Sequence, residues 1–174
     1  MKKAIGSLTA LIVCAVALGL AGQVLNYVGV EKCQICHRTD SQGRQYPIWQ
    51  ASQHSSSFSV LGKPEVVAKA KSMGIQDPTD APQCLGCHSP LAEKAPELKA
   101  EGVTCEACHG PGSEYKKLSL MKNPKEAQKN GLAAFADAED IKTLCLSCHA
   151  NAHDRPFDFA QAWTKIKHGI PGKD

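Results

Sequence analysis

The sequence predicts a mainly α chain with extensive irregular loops, compact but organised around something other than its own side chains. Three observations predict it. Short helical signals recur between Pro- and Gly-rich joints, and no segment alternates apolar and polar residues long enough to be a strand. Only 5% of residues are aromatic, which is thin for a chain of 174 residues. Eight of the nine cysteines fall in C-x-x-C-H runs: CQICH at Cys33 to His37, CLGCH at Cys84 to His88, CEACH at Cys105 to His109 and CLSCH at Cys145 to His149.

The chain opens MKKAIGSLTALIVCAVALGLAG, two lysines followed by an apolar run and then small residues. Residues 1–22 read as a secretory signal peptide, with an uncleaved membrane anchor as the alternative, and residues 23–174 as one domain. Cys14 lies in the apolar run behind Val13, which is too large for a lipid-attachment signal, so it reads as a filler. Export raises a redox question, because cysteines in an oxidising compartment ordinarily pair as disulfides. Partners three apart close so small a loop that they constrain the unfolded chain very little. Something else must occupy these thiols.

Setting Lys2 and Lys3 aside leaves a formal charge of +1, and no basic run points to nucleic acid. The helical elements follow in order. PIWQASQH reads as a helix started by Pro47 and carrying Trp49 and His54. KPEVVAKAKSMG has Pro64 at its first position and Gly74 as a stop, and DAEDIKTLCLSCH runs from an Asp137 cap into the fourth run. FAQAWTKIKHG places Phe159, Trp163 and Ile166 on one stripe. The runs begin at 33, 84, 105 and 145, with no fixed period, so the pattern is one wrapped domain rather than an array. The runs at 84 and 105 are expected to be neighbours.

Two thiols separated by two residues reach the two vinyl groups on one edge of a porphyrin, and a histidine next in line reaches its iron. Zinc bound by paired C-x-x-C motifs is the competing reading. It says nothing about the residue after the second cysteine. With 7 histidines in 174 positions, a histidine there has roughly a 4% chance each time, so four in four is on the order of one in a million. A thioredoxin-like dithiol fails the same test, and no β-α-β pattern surrounds the runs. Cys33, Cys36, Cys84, Cys87, Cys105, Cys108, Cys145 and Cys148 are therefore expected to attach four haem c groups, with His37, His88, His109 and His149 as proximal iron ligands. The fold class is a compact multihaem cytochrome c, whose haem faces supply the apolar area that side chains lack.

Electron-carrying haems usually take a second histidine or a methionine, whereas catalytic haems leave a position open. Three histidines remain for four irons. His54 and His168 are the expected distal ligands, and His153 and Met121 are further candidates. On an ideal helix His168 falls opposite the apolar stripe, although Gly169 ends the helix nearby.

YVGVEKCQICH, the PIWQASQH stretch and GVTCEACHGPGSEY together resemble the cytochrome c-554 family of tetrahaem cytochromes, from Tyr27 to about His168. The resemblance implies a mostly helical electron carrier with closely packed haems, three of them bis-histidine and one five-coordinate at the second site, on Cys84, Cys87 and His88. His54 and His168 match family distal histidines in their surroundings. After GPG the family carries a distal histidine that this chain lacks, which leaves the role to Met121 or His153, or leaves two haems open. The GPG turn itself is expected to let another haem approach the third.

Function is expected to be periplasmic electron transfer with other redox proteins, such as cytochromes, oxidoreductases or quinol-linked donors. The alternative is a haem enzyme reducing a small nitrogen-oxide-type ligand at a five-coordinate iron, with Asp77 and Asp80 as the nearest acids. Contact with a membrane follows only if the N-terminal segment is retained.

Overall fold

The computed structural model describes residues 24–150 and 152–169, so the leader read over residues 1–22, with Cys14, lies outside them. Among the described residues there are helices, turns and loops but no strand. The helices are α1 (Val30–His37), α2 (Gln45–Ala51), α3 (Pro64–Ser72), α4 (Pro82–His88), α5 (Cys105–His109), α6 (Leu118–Met121), α7 (Pro124–Lys129), α8 (Ala138–His149) and α9 (Phe159–Ile166). Short 3-10 turns, among them Gln53–Ser56 and Pro96–Glu101, fill the connections. The mainly α, loop-rich architecture expected from the sequence is what the chain adopts.

The starts and stops have local causes. Pro64, Pro82 and Pro124 open α3, α4 and α7, where a missing N–H costs nothing. Asp137 caps α8 by accepting from Glu139 N at 2.9 Å and Asp140 N at 3.1 Å, and Gly74 ends the α3 region with φ +80°.

Two expectations change. The helix around Trp49 begins at Gln45 rather than Pro47 and stops at Ala51, short of His54. Ser52 causes the break: its hydroxyl donates to Trp49 O at 2.7 Å, and its oxygen accepts from His54 N at 3.2 Å, capping the next turn. At the other end α9 stops at Ile166, and Lys167 turns out of the helix at φ −58°, ψ 141°. His168 therefore leaves the helical path that would have placed it opposite the apolar stripe.

The buried apolar residues are Val30, Leu61, Ala70, Ala81, Leu91, Ala95, Tyr115 and Ala127, mostly small side chains. Helix α1 packs on α2 and α5, and α2 on α9. Trp49 ties α2 to the chain before α5 by donating its indole N–H to Val103 O at 2.8 Å.

Helix α1 has no capping side chain of its own. Its first amides are instead satisfied by two carboxylates more than 70 residues away. Glu106, only 2% exposed, accepts from Val28 N at 2.9 Å, Gly29 N at 2.8 Å and Gly112 N at 2.6 Å. Glu101 accepts from Val30 N at 3.0 Å. Negative charge at a helix N-terminus is favourable both for the orphan N–H groups and for the helix dipole.

The chain after His109 is closed in by protein on both sides. Ala133 N donates to His109 O at 2.9 Å, and Asn26 and Ser113 exchange two bonds of 3.1 Å. Gly110 has φ +79°, and a Cβ there would strike the Gly131 carbonyl oxygen. Gly110 is thus required by neighbouring backbone, a Cβ at Gly112 would press on the Glu106 carboxylate, and Tyr115 seals the turn by donating its hydroxyl to Gly110 O at 2.9 Å.

Candidate haem-binding site

All four C-x-x-C-H runs occupy the last turn of a helix: α1, α4, α5 and α8 each end on the histidine of their run. Positions i, i+3 and i+4 of a helix share one face, so each helix presents two thiols and an imidazole to the same side. This donor set fits a haem c group, with two thiols for the two vinyls and an imidazole for the iron. It does not fit bare zinc. Among the described residues, which include all eight of these cysteines, no three His, Cys, Asp or Glu side chains gather closely enough to hold a metal ion.

The fold brings the runs together in an order different from the sequence. Cys33 and Cys105 are near enough to perturb each other, which raises the Cys33 thiol and lowers Cys105. Burial pushes Cys108 up to about 11, and the nearby Cys145 and Cys148 add to the effect. Burial also raises Cys87, and the nearby Cys148 adds to the rise. These mutual influences link the first run to the third, the third to the fourth, and the fourth to the second. The second and third runs, adjacent in sequence, are joined through the fourth. In the two end runs Cys36 and Cys87 are exposed and Cys33 and Cys84 half-buried, while Cys105, Cys108, Cys145 and Cys148 are all half-buried.

The histidines fall into pairs. Ring centres are 6.2 Å apart for His54 and His149, 6.0 Å for His88 and His153, and 5.7 Å for His109 and His168. The ring planes are inclined at 49°, 68° and 42°, so these are not stacked pairs; His149 and Phe157, at 4.5 Å and 14°, are what stacking looks like here. One metal between two imidazoles, with bonds of about 2 Å to each facing nitrogen, spaces the ring centres at roughly 6 Å. Each pair joins one histidine of a C-x-x-C-H run to one of the three histidines outside the runs.

Burial lowers His54, with His149 adding to it, and burial alone lowers His149. His109 is held down to about 4 by burial first, then by His168 and His37, and His168 is lowered by burial and then by His37. These imidazoles are neutral at pH 7, as a metal ligand must be. His153 sits in left-handed backbone at φ +55°, ψ 34°. A non-glycine residue held there carries strain, and such strain concentrates at functional positions.

His153 thus faces His88, at the second run, where the family resemblance implies an open iron. His37 is the one run histidine without a facing ring. Met121 closes the four-residue helix α6 and is half-buried. The two acids near the second run are engaged elsewhere. Asp77 accepts from Thr79 N at 2.8 Å and Thr79 Oγ1 at 2.7 Å, bonds that lower it and keep it ionised, and Asp80 pairs with Lys99 at 3.3 Å.

Three residues that support the runs or their histidines are not apparent from motif reading. Gln45 Oε1 lies 3.1 Å from His37 Nδ1, and its Nε2 donates to Gly169 O at 3.0 Å. His88 Nδ1 donates to Ser57 O at 2.7 Å, while Ser57 Oγ accepts from Val103 N at 3.0 Å. Glu106 is the third, inside the third run itself. The PIWQASQHSSSF and QGRQYP stretches carry no spacing signal for Ser57 or Gln45. For Glu106 the only hint is an acid in the middle of a haem motif.

No helix among the described residues is long and apolar enough to cross a membrane. Residues 32–110 match the family described as cytochrome c554 and c-prime, a span that covers the first three runs. Among curated proteins, cytochrome c-554 of Nitrosomonas europaea is 28% identical over 153 residues, covering 78% of this chain and 63% of its own length. The chain thus spans somewhat less than two thirds of that relative. No solved structure matches. Both matches bear out the resemblance to the cytochrome c-554 family read from the sequence.

Proposed function

We propose that residues 23–174 form a periplasmic tetrahaem cytochrome that passes electrons along the line first–third–fourth–second haem. The observation that carries this reading is the facing of run and non-run imidazoles at roughly 6 Å, in three pairs, beside thiols near enough to perturb one another, Cys33 with Cys105, Cys108 with Cys145 and Cys148, and Cys87 with Cys148. Thioether bonds at these cysteines put the edges of successive porphyrins beside one another. Three haems are bis-histidine, through His149 with His54, His88 with His153, and His109 with His168. Bis-histidine ligation resists exchange and keeps the iron in one spin state, which suits repeated electron transfer rather than substrate turnover.

The exposed ends of the line, at the first and second runs, are where redox partners dock. Partners are other exported redox proteins, including cytochromes, oxidoreductases and quinol-linked donors. Residues 1–22 direct export and are removed.

The test is expression in a host that attaches haem c, followed by intact mass and redox titration. Four added haem masses are expected, with an optical titration too broad for one potential because neighbouring haems repel each other's charge. Replacing both Cys87 and Cys148 with serine should remove one thioether from each of two haems while leaving the first and third intact. A protein with fewer than four haems, or with four haems that titrate as identical and independent centres, contradicts the proposal.

A further inference from the structure

The segment between Tyr115 and Gly131 carries no C-x-x-C-H run, and its charge is unlike that of the rest of the chain. Residues 116–129 hold Lys116, Lys117, Lys122, Lys125 and Lys129 against Glu126, a formal +4, whereas the remainder of residues 23–174 holds 13 Lys and Arg against 16 Asp and Glu, or −3. All five lysines are exposed, and Leu118 among them is 63% exposed. The segment is clamped against the third run at both ends. Tyr115, which is buried, donates its hydroxyl to Gly110 O at 2.9 Å, and Ala133 N, just past Gly131, donates to His109 O at 2.9 Å. Between these clamps Ala127 is 0% exposed, so α7 is seated on the protein with its lysines outward.

The fold gains nothing from part of this charge. Lys125 is the second residue of α7, where a cation faces the positive end of the helix dipole. Lys125 and Lys129 stand one turn apart, a like-charge spacing that weakens a helix. Glu126 neutralises Lys129 at 2.7 Å and Glu114 neutralises Lys117, while Lys122 and Lys125 form no ion pair among the described residues. A concentration of charge that the fold does not use is explained by something that meets it from outside.

We propose that this basic face is a docking site for an acidic one-electron carrier protein, which exchanges its electron with the third haem. This rests on the four-haem reading above, and it adds to the two exposed ends a further place of entry within the line. One electron leaves the reduced carrier and the third iron goes from ferric to ferrous, with no bond made or broken. Complementary charge steers such an encounter and raises its rate without a large or tight interface. Leu118 supplies a small apolar contact inside a polar rim, the usual anatomy of a protein interface. An anionic lipid surface fits the face less well. Helix α6 is a single turn with Leu120 and Met121 half-buried, so no amphipathic helix is free to lie in a membrane.

The experiment is stopped-flow reduction of the haem-loaded protein by reduced plant-type ferredoxin, a small acidic carrier of low potential, as the probe. Covalent haem is counted by intact mass in every sample. The double variant Lys122→Gln with Lys125→Gln is compared with Lys69→Gln with Lys71→Gln, two exposed lysines of α3, so that both lose the same net charge. At low ionic strength the first should react about tenfold more slowly than the parent and the second within about twofold of it. All three should converge in high salt, where the charges are screened. Carbodiimide, which joins a lysine amine to a carboxylate in contact with it, should cross-link Lys122 or Lys125 of the parent to the ferredoxin. Equal slowing by both double variants means that net charge rather than this face governs the encounter, and overturns the proposal. No slowing by either, with four haems present, also overturns it and leaves the electron-carrier reading intact. Binding to phosphatidylglycerol vesicles that the first variant loses, with its ferredoxin rate unchanged, assigns the face to a membrane instead. Cross-links from these lysines to a second copy, formed by the protein alone, assign it to self-association, and either result overturns the proposal. Fewer than four haems defeats the reading on which it rests.

Discussion

Replacing Glu106 with alanine tests how the first and third runs are joined. The carboxylate is 2% exposed and accepts from the amides of Val28, Gly29 and Gly112, all within 3.1 Å. Its removal leaves three backbone N–H groups facing a cavity, each with a desolvation cost of about 1–3 kcal/mol, partly relieved where water enters. We expect a loss of about 3–5 kcal/mol, a large share of the 5–15 kcal/mol typical of a domain. That corresponds to roughly 10 °C in Tm for a chain of this size. Glu106→Gln is the sharper probe, because it conserves volume but turns an N–H donor toward amides that themselves donate. It should lose about 1–3 kcal/mol. Unfolding of the haem-loaded protein in guanidinium, followed by far-UV circular dichroism, gives both values, and hydrogen exchange at Val28, Gly29 and Gly112 locates the loss. If Glu106→Ala stays within about 1 kcal/mol of the parent while those amides remain protected, the carboxylate is not what holds α1 to α5.

Other outcomes follow from the same contacts. Glu101 is raised by burial, which outweighs the Val30 N–H bond, with Glu106 and Glu31 adding to the rise. Its contribution to stability is therefore largest at low pH and declines as pH rises through its folded value. Glu101→Gln, which keeps an acceptor for Val30, should gain on the parent as pH is raised from 4 to 7; a constant difference across that range would speak against it. Gly102 has φ +72°, and a Cβ there would lie 2.8 Å from His54 O and collide with Ser57 Oγ. Gly102→Ala should cost about 1–3 kcal/mol and displace His54, seen as a rise in high-spin haem in the visible spectrum.

The proposed chemistry is local and so can be read from the sequence. Thioether attachment needs two cysteines and a histidine within one helical turn, and that spacing stands in the linear chain at Cys33, Cys84, Cys105 and Cys145. Helix starts at Pro64 and Asp137 were legible for the same reason, since a proline or an aspartate acts on the next few amides. The tertiary structure decided which elements meet. His54 sits on a 3-10 turn because Ser52 ends α2, and His168 turns toward His109 because α9 stops at Ile166; neither bend is encoded in helical periodicity. The expectation that the second and third runs are neighbours rested on their separation of 21 residues, whereas the influence of the first run's thiol on the third's and of the fourth's on the second's has no sequence signal. The reason is that separation along the chain says little about distance once the chain folds back on itself. Glu106 shows the limit most clearly: it is one acid among the 17 Asp and Glu of the chain, and its value comes from three amides brought to it by folding.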